Sequence, residues 1–148
     1  MNEFYPYPKR DPIKNYFPLP NELFLLNLTA GEIAIYAFLM RWENRKDYSC
    51  VESYQEIGDA VSMSRNTVSK YVAMLEERRL IRTEHTSIIT RDGRKGNGKL
   101  RYKILPIQEA IDRHYEHKLA QLERNTARHN VKKAQARQNI PTRNASLS

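Results

Sequence analysis

Residues 53–81 read SYQEIGDAVSMSRNTVSKYVAMLEERRLI, and the rest of the chain is organised around this run. It contains two short helical patterns that meet at a break near Ser62 and Met63. Ser53 and Glu56 have the spacing of a capping box, in which the serine oxygen accepts from the third helical N–H and the glutamate reaches back to the cap. Ile57, Ala60 and Val61 would then face inward. Ser64 is the second cap. Met63 before it and Val68 after it have the spacing of a hydrophobic staple.

The second helix places Val68, Tyr71, Val72 and Leu75 on one face, at steps of three and four residues. Its opposite face carries Asn66, Lys70, Ala73 and Glu77, flanked by Arg65 and Ser69. Its first turn holds Arg65, Asn66 and Thr67 and no acid, so its free N–H groups can accept a phosphate. The run therefore reads as a helix-turn-helix whose second helix faces DNA. The competing reading is a helical hairpin in an unrelated core.

Length and charge set the bounds. The 148 residues allow one domain with extensions, and the net charge of +8 with a pI near 9.7 favours an anionic partner, nucleic acid ahead of membrane. The charge is uneven. Residues 1–61 carry 6 basic and 9 acidic side chains, residues 62–103 carry 11 and 4, and residues 104–148 carry 8 and 4. Positive charge thus begins where the second helix begins. Cys50 is the single cysteine, which excludes an intrachain disulfide. With no long apolar run and no signal-peptide pattern, a cytoplasmic location is expected.

Residues 1–19 hold four prolines and five aromatics, which predicts an extended arm. It would lie on its own domain, embrace a second subunit, or carry Lys9 and Arg10 to a DNA groove. A short helical turn is expected over 20–25. Thr29 and Glu32 form another capping box, with Leu28 and Ile33 as staple, and open a helix to about Glu43. Ile33, Tyr36, Ala37, Met40 and Phe38 are its expected buried side, with Trp42 at the core's edge; stacking is the other reading of Trp42. A short edge strand is expected over 48–51.

Beyond Leu80, residues 81–90 are rich in β-branched types, and LRYKI at 100–104 alternates strictly, with Leu100, Tyr102 and Ile104 on one side. Between them RDGRKGNGK offers Asp92–Gly93 and Asn97–Gly98 as turn dipeptides, studded with Arg91, Arg94, Lys95 and Lys99. The result is a hairpin with a basic tip over 91–99.

Three helices and a hairpin is the order of a winged helix, and here a resemblance applies. The run from Gln55 to Ile81 resembles the core of many bacterial winged-helix regulators. It has a polar start, the I-[AG] pair at Ile57–Gly58 and the V-[ST]-x-[ST] turn at Val61–Ser64. Thr67–Val68 and L-E-x-x-x-L-I at Leu75–Ile81 complete the pattern. The earlier NYFPLPNELFLLNLTAGEIAIYAFLM resembles the leader of a narrower group, helix-turn-helix proteins of plasmids and integrative elements. That group is related to the N-terminal domain of plasmid replication initiator A proteins. The resemblance covers about residues 1–105. Many such relatives have glycine before the final L-I, as a left-handed helix cap. This chain has Arg79 there, which implies a differently built helix end.

The last section, 106–139, sets Ile107, Ile111, Tyr115, Leu119 and Leu122 on one stripe, then turns basic. Its first half would pack on the domain or pair with a twin, and its second half would be a basic helix or a disordered tail. Residues 140–148 are expected to be disordered. His114 and His117 share a face, where a solvated surface is expected ahead of a metal site.

The expected fold is mainly α with a small β-hairpin, a winged helix-turn-helix over 20–105 followed by a C-terminal helix. No catalytic or phosphate-loop motif is present, so neither enzyme activity nor a cofactor is expected. The expected partner is double-stranded DNA, bound by a homodimer, with no membrane role. Arg65, Asn66, Ser69 and Lys70 would read bases from the helix, with Ser64 and Thr67 at its start. Ser53, Tyr54 and Gln55 would hold phosphate from the preceding helix. Arg91, Arg94, Lys95 and Lys99 would reach the backbone or minor groove. The function expected first is transcription regulation on a mobile genetic element. A plasmid replication initiator is the alternative, although initiators of this type carry a further folded domain. A protein–protein adaptor would instead show an acidic or apolar face.

Overall fold

A computed structural model describes residues 15–139. The prolines and aromatics of the arm's first 14 residues and the tail from 140 lie outside the described residues. A 3-10 turn, Asn21–Leu25, leads into α1, Ala30–Trp42. Then come β1, Ser49–Glu52; α2, Tyr54–Val61; and α3, Arg65–Glu77. β2, Ile81–Glu84, β3, Ser87–Ile89, β4, Lys95–Asn97, and β5, Leu100–Ile104, make the wing. α4, Ile107–Gln138, completes the order. The chain is mainly α, with a winged helix-turn-helix followed by a C-terminal helix.

The helix starts follow their caps. Both predicted capping boxes are formed, Thr29 with Glu32 and Ser53 with Glu56. Ser64 accepts from the Thr67 N–H, but no acid reciprocates there. The tight turn between α2 and α3 has Ser62 in the left-handed region and the Met63 N–H on the Gly58 carbonyl at 2.9 Å. A Cβ at Gly58 would collide with the Met63 carbonyl oxygen, so this position needs glycine.

α3 buries Val68, Val72 and Leu75, with Tyr71 half-buried, as its periodicity predicts. It ends in a full Schellman pair. The Arg79 N–H donates to the Glu76 carbonyl at 3.0 Å and the Leu80 N–H to the Leu75 carbonyl at 3.1 Å. Arg79 itself takes φ 59°. The end is thus built in the usual left-handed way, with arginine carrying the strain that glycine avoids.

α1 is rotated from its expected face. Its buried residues are Gly31, Glu32, Ile35, Tyr36 and Leu39, while Ile33, Ala37, Phe38 and Met40 are half-buried. Nearly every side of IAIYAFLM is apolar, so periodicity could not select a face. Trp42 is 52% exposed, with Arg41 stacked 4.3 Å from its ring centroid, and is not a core edge. Ala60 is also exposed, while Ile57 is buried as expected, Val61 packs half-buried against the core and Gly58 is buried beside them.

The three-stranded sheet has the order β1-β5-β2, all antiparallel, with Tyr102 opposite Cys50 and Thr83. Tyr102 and Ile104 are buried and Leu100 half-buried, and the three face the helices. The wing is longer than 91–99, because β3 and β4 continue the hairpin as a separate two-stranded ribbon. Its turn is at residues 90–94, where Gly93 takes φ 76°. Asn97–Gly98 is not a turn: Asn97 pairs with Ser87 in the ribbon.

Candidate nucleic-acid interface

The sequence-predicted site residues fall in two groups. On α3, Arg65, Asn66 and Lys70 are exposed, as are Ala73 and Glu77 further along the same face. Ser69 and Thr67 are half-buried. The polar face thus points away from the Val68–Val72–Leu75 seam. Thr67 and Ser64 share a hydroxyl–hydroxyl hydrogen bond of 2.9 Å, so both side chains are held at the helix start. The one-sided cap leaves the N–H groups of Arg65 and Asn66 without an acidic side chain in the first turn. The Lys70 ammonium sits 5.9 Å from the Tyr71 ring.

On the wing, Arg91, Arg94 and Lys95 are all exposed at or beside the turn. The Thr90 backbone and hydroxyl both donate to the Arg94 carbonyl, at 2.9 and 3.1 Å, which ties the turn's two sides. Beside them Ile88 is 52% and Ile89 80% exposed. Sequence reading gave these isoleucines no role. Their signal was present, since a two-stranded ribbon leaves both of its faces uncovered, and successive strand residues such as Ile88 and Ile89 point to opposite faces.

One side-chain contact joins the starts of α2 and α3, and another joins the start of α2 to the base of the wing. Arg65 Nε donates to Gln55 Oε1 at 2.8 Å, and Gln55 in turn donates to Asp59 at 2.7 Å. Lys99 pairs with Glu56, a contact between residues 43 apart in sequence. Lys99 therefore stands at the wing's base with a carboxylate partner, whereas among the described residues Arg91, Arg94 and Lys95 at its tip have none. Ser53 is committed to its capping box, and Tyr54 is half-buried against the core. Of the three α2 candidates, Gln55 is the exposed one.

Glu52 extends this cluster. Burial, a hydrogen bond to Glu56 and the Glu56 charge push its carboxyl up to about 7. The hydrogen bonds from Lys99, the Ser53 N–H and Glu52 hold Glu56 down to about 2. A proton on Glu52, a negative Glu56 and a positive Lys99 are mutually consistent.

The other end of α3 is fixed to the scaffold. Arg78 Nε lies 2.6 Å from Oε2 of the fully buried Glu32, and its other arm donates to the Leu26 carbonyl at 3.1 Å. The Nε–H is not aimed at Oε2, so the contact is ionic rather than a linear hydrogen bond. Glu76 accepts from the Thr83 N–H at 2.8 Å and from its hydroxyl, which locks α3 to β2. Glu32 thus serves twice, as helix cap and as the buried partner of Arg78. Capping spacing revealed the first role and not the second.

His114 and His117 line an open cleft of about 370 Å3 with Leu26, Met74, Arg78 and Lys118. Burial and the surrounding cations lower the His114 pKa. Among the described residues no group of three metal-ligating side chains occurs, and no helix is long and apolar enough to cross a membrane.

No family model matches the chain, and no curated protein sequence matches it. Several solved structures resemble it. A possible transcriptional regulator from Methanosarcina mazei is 16% identical over 70% of this chain and 80% of its own, with a TM-score of 0.45. An S. aureus MepR–DNA complex is 13% identical over 80% and 86%, with a TM-score of 0.40. A MarR-family regulator from Silicibacter pomeroyi is 15% identical over 82% and 80%, with a TM-score of 0.39. These overlaps are partial, and the fold rests on the chain's own elements and their order.

Proposed function

We propose that this protein binds double-stranded DNA in a sequence-dependent way, with α3 in the major groove and the wing on the flanking backbone, and that it regulates transcription on a mobile genetic element. The observation that carries the binding reading is the polar, acid-free first half of α3, linked through Gln55 and Glu56 of α2 to the base of a basic wing. Arg65, Asn66 and Lys70 are exposed there, and Arg65 is oriented by Gln55.

The chemistry follows from the side-chain types. Asn66 can bond adenine in bidentate fashion, and Arg65 or Lys70 can bond guanine. The uncapped N–H groups at the start of α3 and Ser64 with Thr67 suit a phosphate. Arg91, Arg94 and Lys95 supply charge neutralisation that does not depend on sequence. The mobile-element context is supported by the resemblance of residues 15–40 to the leader of plasmid and integrative-element proteins.

Selection of bound sequences from a random duplex pool tests the reading. The native chain should enrich a defined motif. Asn66→Ala with Lys70→Ala should blur that motif, whereas Arg94→Ala with Lys95→Ala should weaken binding to all sequences alike. If neither pair changes binding, the assigned face is wrong.

A further inference from the structure

α4 is 32 residues long, yet only its first two turns rest on the domain. Ala110 is buried, Ile107 and Ile111 pack against the core, and Arg113 reaches Glu77. Every residue from 115 to 138 is exposed. At 1.5 Å per residue this free stretch spans about 36 Å, and a helix in water without packing is marginal. Tyr115, Leu119 and Leu122 lie on it at steps of four and three, each more than half exposed. They are turned off the side of α4 that faces the domain, where His114, His117 and Lys118 line the cleft.

The charges along α4 are segregated. Residues 107–123 carry four acids, Glu109, Asp112, Glu116 and Glu123, and two bases. Residues 124–138 carry five bases and no acid. A parallel pair of such helices would lay the five bases of one against the five of the other. An antiparallel pair lays each acidic segment along a basic one.

We propose that α4 pairs antiparallel with α4 of a second copy of this chain, along Tyr115, Leu119 and Leu122. Leu119 then packs on Leu122 of the partner subunit and the reverse, forming a four-leucine centre. Tyr115 lies against Thr126 of the partner subunit, and Asp112 faces His129 of the partner subunit. In this register Ile111, the last residue of each helix that packs on its core, is separated from its twin by about 28 Å along the pair. The antiparallel pair has a two-fold axis between the Leu119 and Leu122 positions, so it would present two α3 helices related by that axis, as a palindromic duplex site requires. The pairing stands on α4 alone; only this last consequence rests on the DNA-binding reading.

The test uses the full chain. Sedimentation should give a dimer, and Leu119→Glu with Leu122→Glu should weaken self-association about a hundredfold or more. These side chains touch no core residue, so the melting of the domain reports whether the variant is folded. Orientation is read by cysteine pairing with the buried Cys50 left in place. Tyr115→Cys alone should form no intersubunit disulfide, since its twin is about 16 Å away along the pair. Mixed with Thr126→Cys, it should cross-link. A native chain that stays monomeric overturns the proposal, including the case where α4 lies on DNA and Lys132→Glu weakens duplex binding by a monomer. Self-cross-linking of Tyr115→Cys, the mark of a parallel pair, overturns it too. A monomer that still selects a DNA motif defeats this pairing alone, and a dimer indifferent to duplex defeats the DNA reading alone.

Discussion

The two ends of α3 are built for opposite purposes. The C-terminal end is fastened. Arg78 reaches the buried Glu32, Glu76 holds Thr83, and Arg79 accepts a left-handed φ so that the Schellman bonds close. The N-terminal end is presented. Arg65, Asn66 and Lys70 stand exposed, and the cap lacks its reciprocal acid. The exposed face of the helix thus has a defined orientation, because its far end is anchored to α1 and the sheet. The anchored end and the proposed recognition face are separated by roughly two turns of helix.

The largest effect is expected at the fastened end. Arg78→Ala leaves Glu32 buried beside no cation and should cost about 3 kcal/mol of stability by denaturant titration. Adding Glu32→Gln should recover part of that loss, since the uncompensated charge is then gone. If Arg78→Ala melts like the native chain, the anchor is not where the geometry puts it. At the presented end the pattern reverses. Asn66→Ala or Lys70→Ala should each remove about 1–3 kcal/mol of discrimination between preferred and altered duplexes. Their midpoints of unfolding should stay within about 0.5 kcal/mol of native. A large stability loss in either would erase the distinction between the two ends.

Two smaller effects sharpen the comparison. Arg79→Gly should stabilise the fold by about 1 kcal/mol, because glycine reaches the left-handed region without a Cβ penalty. The gain should appear mostly as slower unfolding if the Schellman end forms late. The smallest concerns the cluster at the wing's base. Glu52 keeps its proton up to about 7 in the folded chain, whereas an ordinary glutamate releases it near 4.5. The native state therefore binds more protons across that window, and stability should fall as pH rises from about 4.5 through 7. Glu56, held near 2, acts oppositely, but its loss falls below pH 4.5. Melting temperatures at pH 5 and pH 8 should differ for the native chain, and Glu52→Gln should shrink that difference. An unchanged difference would show that Glu52 titrates normally.

Much of this was legible in the sequence because it is local. Caps and the turn at Ser62 depend on residues three to five apart, and Ser53, Ser64 and Thr29 each sit where their spacing predicted. The exposed face of α3 followed from one clean stripe. What was not legible joins distant residues. Glu32 and Arg78, or Glu56 and Lys99, meet only once the core has formed. The face of α1 was misread because a helix apolar on most sides is oriented by its neighbours. The wing's turn was misread at Asn97–Gly98 because two turn dipeptides compete, and strand pairing of Ser87 with Asn97 decides between them.

Salt titration of the affinity for random-sequence duplex tests the central claim most directly. If Arg65, Lys70 and the wing cations neutralise phosphates, the logarithm of affinity should fall linearly with the logarithm of salt concentration. The slope should shrink by about one for each wing cation removed. An affinity that does not respond to salt, or no binding at low salt, would contradict it.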